Sequence, residues 1–380
     1  MVINQIYPII NSIARQMYGQ DAITVTDLTG LISLGKTVLS SNSDRDNYLG
    51  ILVDRIGKTI IRTLDLELDF PNLMVNEFEW GAIIQKINVA PMLAQSNESV
   101  RVGANDFTPN QFKVDKVVVT QTFFTDSDAW EFDWTIPDTL FKQSFTSEAG
   151  MVAFINAIMS SASDSLTNSL NNMAYLAIDN FIAEKIKVSN GIVNPLAMYN
   201  EQFPNATLTK ATCFANKEFA RFFAMTLRNY VKYLGKPSTK YNTAGIPRVT
   251  KRDNMHILLN SSWASMLDSY LYADTYWNDF VKAPNYEEFV CLQGVGESTN
   301  DWKIDTSINI KPSSGGDAIV QDGIVAILAD RQAIFTGYED MFTATDRNNR
   351  NRYTNYTSGC TKMYGNDTSE NGIIFIIADE

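Results

Sequence analysis

Residues 146–188 read TSEAGMVAFINAIMSSASDSLTNSLNNMAYLAIDNFIAEKIKV, the most strongly periodic stretch of the chain. Apolar residues recur in it every three or four positions, which predicts one helix with a single apolar stripe. The stripe consists of Met151, Ile155, Ile158, Ala162, Leu166, Leu170, Met173, Ala177 and Phe181. Serine and threonine before the first turn, lysines in the last turn and Asn190-Gly191 after it predict the helix ends. About forty residues at ~1.5 Å each give a rod of about 60 Å, so we expect a spine across the molecule.

Two long strand-like segments precede this helix, at residues 83–89 and 114–124. The stretch between them, residues 94–111, is polar and contains glycine and proline, which is typical of a mobile hairpin tip. A two-stranded hairpin is marginally stable in water by itself. We therefore expect this hairpin to lie on a neighbouring subunit.

The segments farther from the spine mix short helices and strands. Residues 1–44 begin with an amphipathic pattern that needs an apolar partner, and residues 46–68 predict a helix followed by a strand. After the spine, we expect helices at 216–234, 261–271 and 276–281, and strands at 255–259, 289–292, 324–328, 333–336 and 373–377. This alternation predicts an α+β fold.

The composition excludes several classes of protein. The chain has 380 residues, 45% of them hydrophobic, which is incompatible with a disordered or fibrous protein. Forty-three acidic against 31 basic residues give a net charge of −12, which opposes tight binding of nucleic acid or anionic lipid. Three widely spaced cysteines predict a reduced compartment. The sequence shows no signal-peptide pattern and no apolar run long enough for a membrane span, so we expect neither.

Side chains suited to catalysis or metal binding are few. The single histidine, His256, lies in an apolar run, so we expect a packed strand histidine without a catalytic role. The acidic stretch 126–134 lacks the glycine of a calcium loop, and its alternation of aromatic and acidic residues predicts a half-buried strand. Residues 294–298 lack the third glycine of a dinucleotide fingerprint. We therefore expect no catalytic residue, no metal site and no cofactor.

One motif indicates an enzyme. Residues 30–37, GLISLGKT, match the Walker A pattern through Gly30, Gly35, Lys36 and Thr37, which in a P-loop NTPase would bind phosphates. Such a fold needs a buried parallel strand before the motif and a helix after it. Here a half-polar stretch precedes the motif and helical periodicity lapses two residues beyond it. The motif is weak in this context, but an NTPase stays open as the alternative of a different class.

Five short stretches carry a resemblance to a known family. They are DNYL at 46–49, LVDRIG at 52–57, FINAI at 154–158, MHILL at 255–259 and NGIIFI at 371–376. Together with the order of arm, hairpin, spine and mixed domain, they resemble the major capsid protein of tailed bacteriophages, in its small podophage branch. The fold of that family is shared with encapsulins and the herpesvirus capsid floor. The resemblance covers most of the chain, and residues 53–57 are its most specific part.

The resemblance implies a division of the chain into domains. It places the N-terminal arm at 1–44, the first part of a peripheral domain at 45–80, an E-loop hairpin at 81–137, the peripheral domain with the spine helix at 138–190, an axial domain at 191–320 and C-terminal strands of the peripheral domain at 321–380.

The resemblance also implies the function and the partners. The protein would self-assemble as pentamers and hexamers into an icosahedral or elongated shell around phage DNA, which it would touch only weakly and non-specifically. A portal protein at one vertex is expected, and a separate scaffolding protein as well, because the arm is too short to be a built-in scaffold. No membrane is expected. The chain would be made in the host bacterial cytoplasm and reside in the virion capsid. The expected inter-subunit contacts are Ile6, Ile10, Ile13, Asn97, Arg101, Asp106 and Phe107.

Two alternatives remain beside the capsid reading. An encapsulin-type compartment would have the same fold but would enclose an enzyme cargo. The P-loop NTPase centred on Lys36 belongs to a different class, and the capsid resemblance places this residue in the N-terminal arm, where no nucleotide chemistry is expected.

Overall fold

Helix α5, Glu148–Lys187, is 40 residues long and confirms the predicted spine. The computed structural model describes residues 3–19, 22–41, 43–52, 69–73, 84–89, 119–124, 127–271, 286–293, 306–348 and 350–379. The chain divides into two compact units, and the division falls within α5. The first unit comprises Met1–Trp80, Ser127–Ala174 and Thr336–Tyr364, and the second comprises Gly81–Asp126, Tyr175–Phe335 and Gly365–Glu380.

Helices and strands alternate through the described residues, and the mixture confirms an α+β fold. The helices are α1 (Ile3–Tyr18), α2 (Leu28–Val38), α3 (residues 43–52), α4 (Asp138–Ser144), α5, α6 (Pro195–Gln202), α7 (Lys210–Cys213), α8 (Lys217–Leu234) and α9 (Ser261–Leu271). The strands are β1 (Ile84–Val89), β2 (Val119–Phe124), β3 (Ser127–Pro137), β4 (Ile192–Val193), β5 (Met255–Asn260), β6 (Tyr286–Phe289), β7 (Ile308–Ile310), β8 (Ile319–Gln321), β9 (Ile324–Asp330), β10 (Ile334–Asn348), β11 (Tyr353–Asn366) and β12 (Gly372–Ile376).

The first unit packs helices α1 to α4 and the start of α5 into one hydrophobic core. Its three-stranded sheet has the order β10-β11-β3, and β11 runs antiparallel to β3 with Tyr353 opposite Pro137. The core side chains are Ile10, Ile13, Ala14, Val25, Leu31, Leu34, Val38, Tyr48, Leu49, Leu52, Ile136, Phe141, Phe145, Met151, Phe154, Ile155 and Tyr356. The apolar stripe at the start of the spine is therefore buried, as the periodicity predicts.

Four charged side chains from three separate parts of the sequence form a ring in the first unit. Arg45 lies 2.7 Å from Asp138 and 3.1 Å from Asp46. Arg347 lies 2.6 Å from Asp46 and 3.4 Å from Asp138, which closes the ring. Arg45 is only 3% exposed, so its charge depends on these two carboxylates.

The second unit is built on a five-stranded mixed sheet of order β4-β12-β9-β5-β6. Every residue of β5, β9 and β12 is buried, as strands covered on both faces require. Helices α8 and α9 pack together beside this sheet. The Phe223 ring lies 5.6 Å from that of Trp263 in α9 and 6.3 Å from that of Phe375 in β12. Helix and sheet thus share one aromatic core.

Helix α5 ends where the sequence predicts. The Asn190 N–H bonds the Lys185 carbonyl, and Gly191 has a φ of +72°, in the left-handed region that favours glycine. The Ile374 N–H then donates to the Gly191 carbonyl at 2.8 Å. A Cβ on Gly191 would collide with the Gly372 carbonyl oxygen. Glycine here serves both the turn and the close approach of two strands.

Two sets of strand pairings bear on the expected domain division, which stays a prediction. Strand β3, expected within the hairpin at 81–137, instead pairs with β11 in the first unit. Strands β9 and β12, expected with the peripheral strands at 321–380, lie in one sheet with β4, β5 and β6. Hydrophobic periodicity identifies a strand but does not choose its partner, which tertiary contacts decide. The predicted helix at 276–281 and the hairpin tip at 94–111 lie outside the described residues.

Candidate functional site

The Walker-like residues 30–37 are helical, and this conformation excludes a phosphate-binding loop. They lie inside α2, whose N-cap Asp27 accepts a hydrogen bond from the Gly30 N–H at 2.8 Å. A P-loop directs several free N–H groups at one ligand, whereas the Leu31 N–H bonds the Asp27 carbonyl within the helix. The Thr37 hydroxyl donates to the Ser33 carbonyl. The NTPase alternative, which depends on Gly30, Gly35, Lys36 and Thr37, is therefore wrong.

His256 is a packed strand histidine, as predicted. It is 2% exposed in β5, and its Nε2 lies 2.6 Å from the Glu287 carboxylate of β6. The pair links two neighbouring parallel strands. In the part of the chain that the structure describes, no group of three or more His, Cys, Asp and Glu is arranged to hold a metal ion. No helix within the described ranges is long and apolar enough to cross a membrane.

The residues predicted to contact a neighbouring subunit fall into two groups. The side chains of Ile10 and Ile13 are fully buried in the core of the first unit, so the apolar partner expected for the N-terminal helix lies in the same chain. The Ile6 side chain and the hairpin residues Asn97, Arg101, Asp106 and Phe107 lie outside the described residues.

Strands β1 and β2 form an antiparallel ribbon, one face of which carries four exposed apolar side chains beside the exposed Gln121. Residues opposite one another share a face, and residues two apart along a strand do as well, which places four apolar side chains together. They are Ile87, Val89, Val119 and Phe123, each between 54% and 58% exposed. We call these four side chains the ribbon face. A cluster of exposed apolar side chains of this kind indicates an interaction site.

The opposite face of the ribbon is attached to the rest of the second unit. The Lys86 Nζ lies 2.7 Å from the Asp367 carboxylate and 2.8 Å from that of Glu370. The Phe124 ring packs edge to face on Phe335, with centroids 4.9 Å apart. These contacts fix the direction in which the ribbon face points.

The ion pairs of Lys86 belong to a larger, mostly buried network. The Arg248 guanidinium also lies 2.7 Å from Glu370, so two cations meet two carboxylates. Burial by itself would raise the pKa of Asp367, but Lys86 and hydrogen bonds from Ser369 hold this pKa below its usual range. The stabilisation from Asp367 is therefore present at neutral pH and is lost in acid, as the pH falls through the folded-state pKa.

The sequence predicts the ribbon strands but not the ribbon face. Ile87 and Val89 are two residues apart and share one side of β1, but the sequence alone does not show whether this side faces the core or the solvent. The outward side becomes evident only when Lys86 is seen paired with Asp367. The carboxylate partners of Lys86 lie some 280 positions away in the sequence. The residues around Lys86 therefore do not indicate that its side chain faces the rest of the subunit.

Structures similar to this chain come from phage heads. The capsid structure of Staphylococcus phage Andhra contains a chain that is 11% identical with a TM-score of 0.53, covering 83% of this chain and 86% of that one. The structure of the head fiber and inner core protein gp22 of native bacteriophage P68 contains a chain that is 13% identical with a TM-score of 0.51, covering 82% and 85%. No curated protein sequence matches the chain. The fold is thus that of phage capsid proteins.

The sequence identifies the family within this class. The family model described as Phi29-like phage major capsid protein matches residues 10–376, nearly the whole chain. The chain belongs to this family, which confirms the predicted resemblance. It is a major capsid protein, a structural component of the virion whose copies assemble into a shell.

Proposed function

We propose that the chain assembles as pentamers and hexamers into an icosahedral or elongated shell that encloses double-stranded phage DNA. In this proposal it is made in the host bacterial cytoplasm, performs no catalysis, and assembles with a separate scaffolding protein and a portal protein at one vertex. Its family membership supports the shell.

The ribbon face is the observation that carries the assembly mechanism. Complete burial of a large aliphatic or aromatic side chain contributes about 1.5–3 kcal/mol, and these four are already about half buried. Covering the ribbon face would therefore contribute roughly 4 kcal/mol per contact. In a closed symmetric shell each subunit makes this contact, so a modest local energy is repeated many times. The occupant is an adjacent subunit, and the hairpin tip with Asn97, Arg101, Asp106 and Phe107 extends the same contact.

The first prediction tests this contact. Replacing Val89 and Phe123 together by serine should leave the subunit folded, because both side chains are more than half exposed, but should prevent shell formation. Folding is followed by circular dichroism melting, and assembly by sedimentation and negative-stain microscopy with scaffolding protein co-expressed.

The matched control replaces Val249 and Val320 by serine, since these valines are 50% and 72% exposed but lie outside the ribbon. We expect shells from the control. Shells at wild-type yield from the Val89/Phe123 variant would show that the ribbon face is not a subunit contact.

A further inference from the structure

The positive charge of this acidic chain is concentrated in one segment. Residues 210–252 contain ten Lys and Arg but one acidic residue, Glu218. The remaining 337 positions hold 21 basic and 42 acidic residues. Lys210 pairs with Asp322 and Arg248 with Glu370, but the remaining excess of basic residues gives this segment a charge opposite in sign to the net charge of −12.

Helix α8 arranges four of these cations in one exposed row. Lys217, Arg221, Arg228 and Lys232 are separated by four, seven and four residues, a spacing that places them on one side of a helix. All four are exposed, while the opposite side of α8 is buried in the aromatic core. At ~1.5 Å per residue the row is about 22 Å long. We call these four residues the basic row.

Three of the four cations of the basic row lack a carboxylate partner among the described residues. Arg221 lies 3.1 Å from Glu218, but both side chains are solvent-exposed, and such pairs contribute little. Among the described residues, Lys217, Arg228 and Lys232 have no carboxylate within salt-bridge distance. Lys217 also occupies the first turn of α8, where a cation opposes the helix dipole. Lys217 therefore does not stabilise the helix at this position. This indicates that its charge interacts with an anion outside the subunit.

The chemistry of the row favours a phosphate backbone over a protein partner. Protein interfaces depend on a desolvated centre rich in aromatic and apolar side chains, whereas the only large apolar side chain within the row's arc is Met225. Duplex DNA presents one negative charge per about 1.7 Å of its axis, so 22 Å of duplex carries about 13 phosphates, of which those facing the row can pair with its four cations. Lysine and arginine bind these phosphates without reading the sequence.

We propose that the basic row of α8 contacts the phosphate backbone of the packaged double-stranded DNA, so that this side of α8 faces the interior of the shell. The inference rests on the proposed function, because it requires a shell that encloses DNA. We expect this contact to be weak, because four cations attract the duplex locally while the net charge of −12 on the whole protein repels it. Such a contact lines the shell wall without immobilising the genome.

The test measures binding of the full chain to a fluorescein-labelled duplex of about 30 base pairs by fluorescence anisotropy. Four phosphate contacts give a slope of about −3.6 in a plot of log K against log salt, so binding should weaken about 150-fold between 50 and 200 mM salt. A variant with Lys217, Arg221, Arg228 and Lys232 replaced by glutamine should bind at least about tenfold more weakly at 50 mM salt, and its slope should fall by about 3 to 4.

The matched control replaces four exposed cations outside the segment, Lys36, Lys142, Lys311 and Arg331, by glutamine. It changes the net charge by the same amount, so we expect a much smaller loss of affinity and an unchanged slope. Equal losses in the two variants would overturn the proposal, since total charge would then explain the binding.

Two further measurements separate the remaining outcomes. The first is binding of polyglutamate to the wild-type protein. If polyglutamate binds and the duplex does not, the partner of the basic row is an acidic protein segment, and the proposed DNA contact is overturned. Shell formation is scored separately by negative-stain microscopy. If wild-type shells form but the row variant keeps its DNA affinity, the DNA contact fails and the shell function stands. If the wild type forms no shells, the proposed function itself fails.

Discussion

At the scale of single residues, the carboxyl group of Asp179 is the least compensated charge in the spine. Asp179 is 4% exposed, and its Oδ1 has no hydrogen-bond partner among the residues that the structure describes. Burial raises the pKa of Asp179 well above its ordinary value. The folded protein therefore holds a proton that the unfolded chain releases above about pH 3.9, and stability falls as the pH rises from there through the folded-state pKa.

Asp179→Asn should consequently stabilise the subunit at neutral pH. We expect a gain of about 1–3 kcal/mol at pH 7, because the wild type must there either keep a proton or bury a charge and the variant does neither. The gain should be much smaller at pH 4, where the folded carboxyl is protonated and the unfolded one is only about half ionised. Thermal melting of unassembled protein from pH 4 to 8 measures this difference. The exposed Asp317→Asn is the control and should show no such trend. A gain independent of pH would contradict the assignment of a buried charge.

Gly191 gives a second prediction, because its backbone and its surroundings both exclude a side chain. Gly191→Ala should destabilise the subunit by about 2–5 kcal/mol, through left-handed strain and the collision with the Gly372 carbonyl. Gly245 has a similar φ of +65° but open space around its missing Cβ. Gly245→Ala should therefore cost only about 1–2 kcal/mol. Urea denaturation compares the two, and equal costs would show that the strand contact at Gly191 yields easily.

At the scale of elements, helix α5 has inward and outward sides that a single charge can distinguish. Leu170 is 4% exposed, whereas Asn168, half a turn away, is exposed. Leu170→Asp buries an unpaired carboxylate and should cost several kcal/mol, a large share of the ~5–15 kcal/mol that stabilises a domain. Asn168→Asp adds the same charge to the solvent side and should be nearly neutral. Soluble, cooperatively melting Leu170→Asp protein would show that the stripe does not face a core.

The elements differ in how far the sequence predicts them. The spine and helices α8 and α9 were predictable, because each has a long apolar period and polar residues that fix its ends. The sheets were not, because β12 pairs with β9 and β4, and β3 pairs with β11, across large sequence separations. Local sequence cannot encode such a choice, which depends on how buried strands fit together.

The candidate surfaces show the same division. The Walker-like residues 30–37 match a pattern, but helix formation in α2 removes the chemistry that the pattern implies. The basic row of α8 is regular in the sequence, yet the net charge of −12 conceals it when only totals are compared. Helical geometry, rather than composition, reveals that the charges stand side by side.

At the scale of the whole molecule, folding and assembly should be separable. Deleting residues 97–106, within the predicted hairpin tip, and closing the gap with a short Gly-Ser turn should leave the subunit folded, because shortening a loop changes closure entropy by only about a kcal/mol. Shells should not form, since every subunit loses the same contact. Circular dichroism melting and sedimentation with scaffolding protein measure the two properties. If the deletion variant still formed complete shells, the hairpin would not make the contact between subunits that assembly requires.

The interleaved order of strands in the second unit has a consequence for the timing of biosynthesis. Strand β12 lies inside the sheet between β4 and β9, although about 180 residues separate it from β4. At about 5–20 residues per second, a ribosome needs roughly 10–35 s to cover that distance, and until then the sheet lacks the strand that joins β4 to β9. The ring of Arg45, Asp138 and Arg347 likewise cannot form until Arg347 has been synthesised. A nascent chain therefore cannot present a finished subunit, and polymerisation is delayed until translation has passed β12.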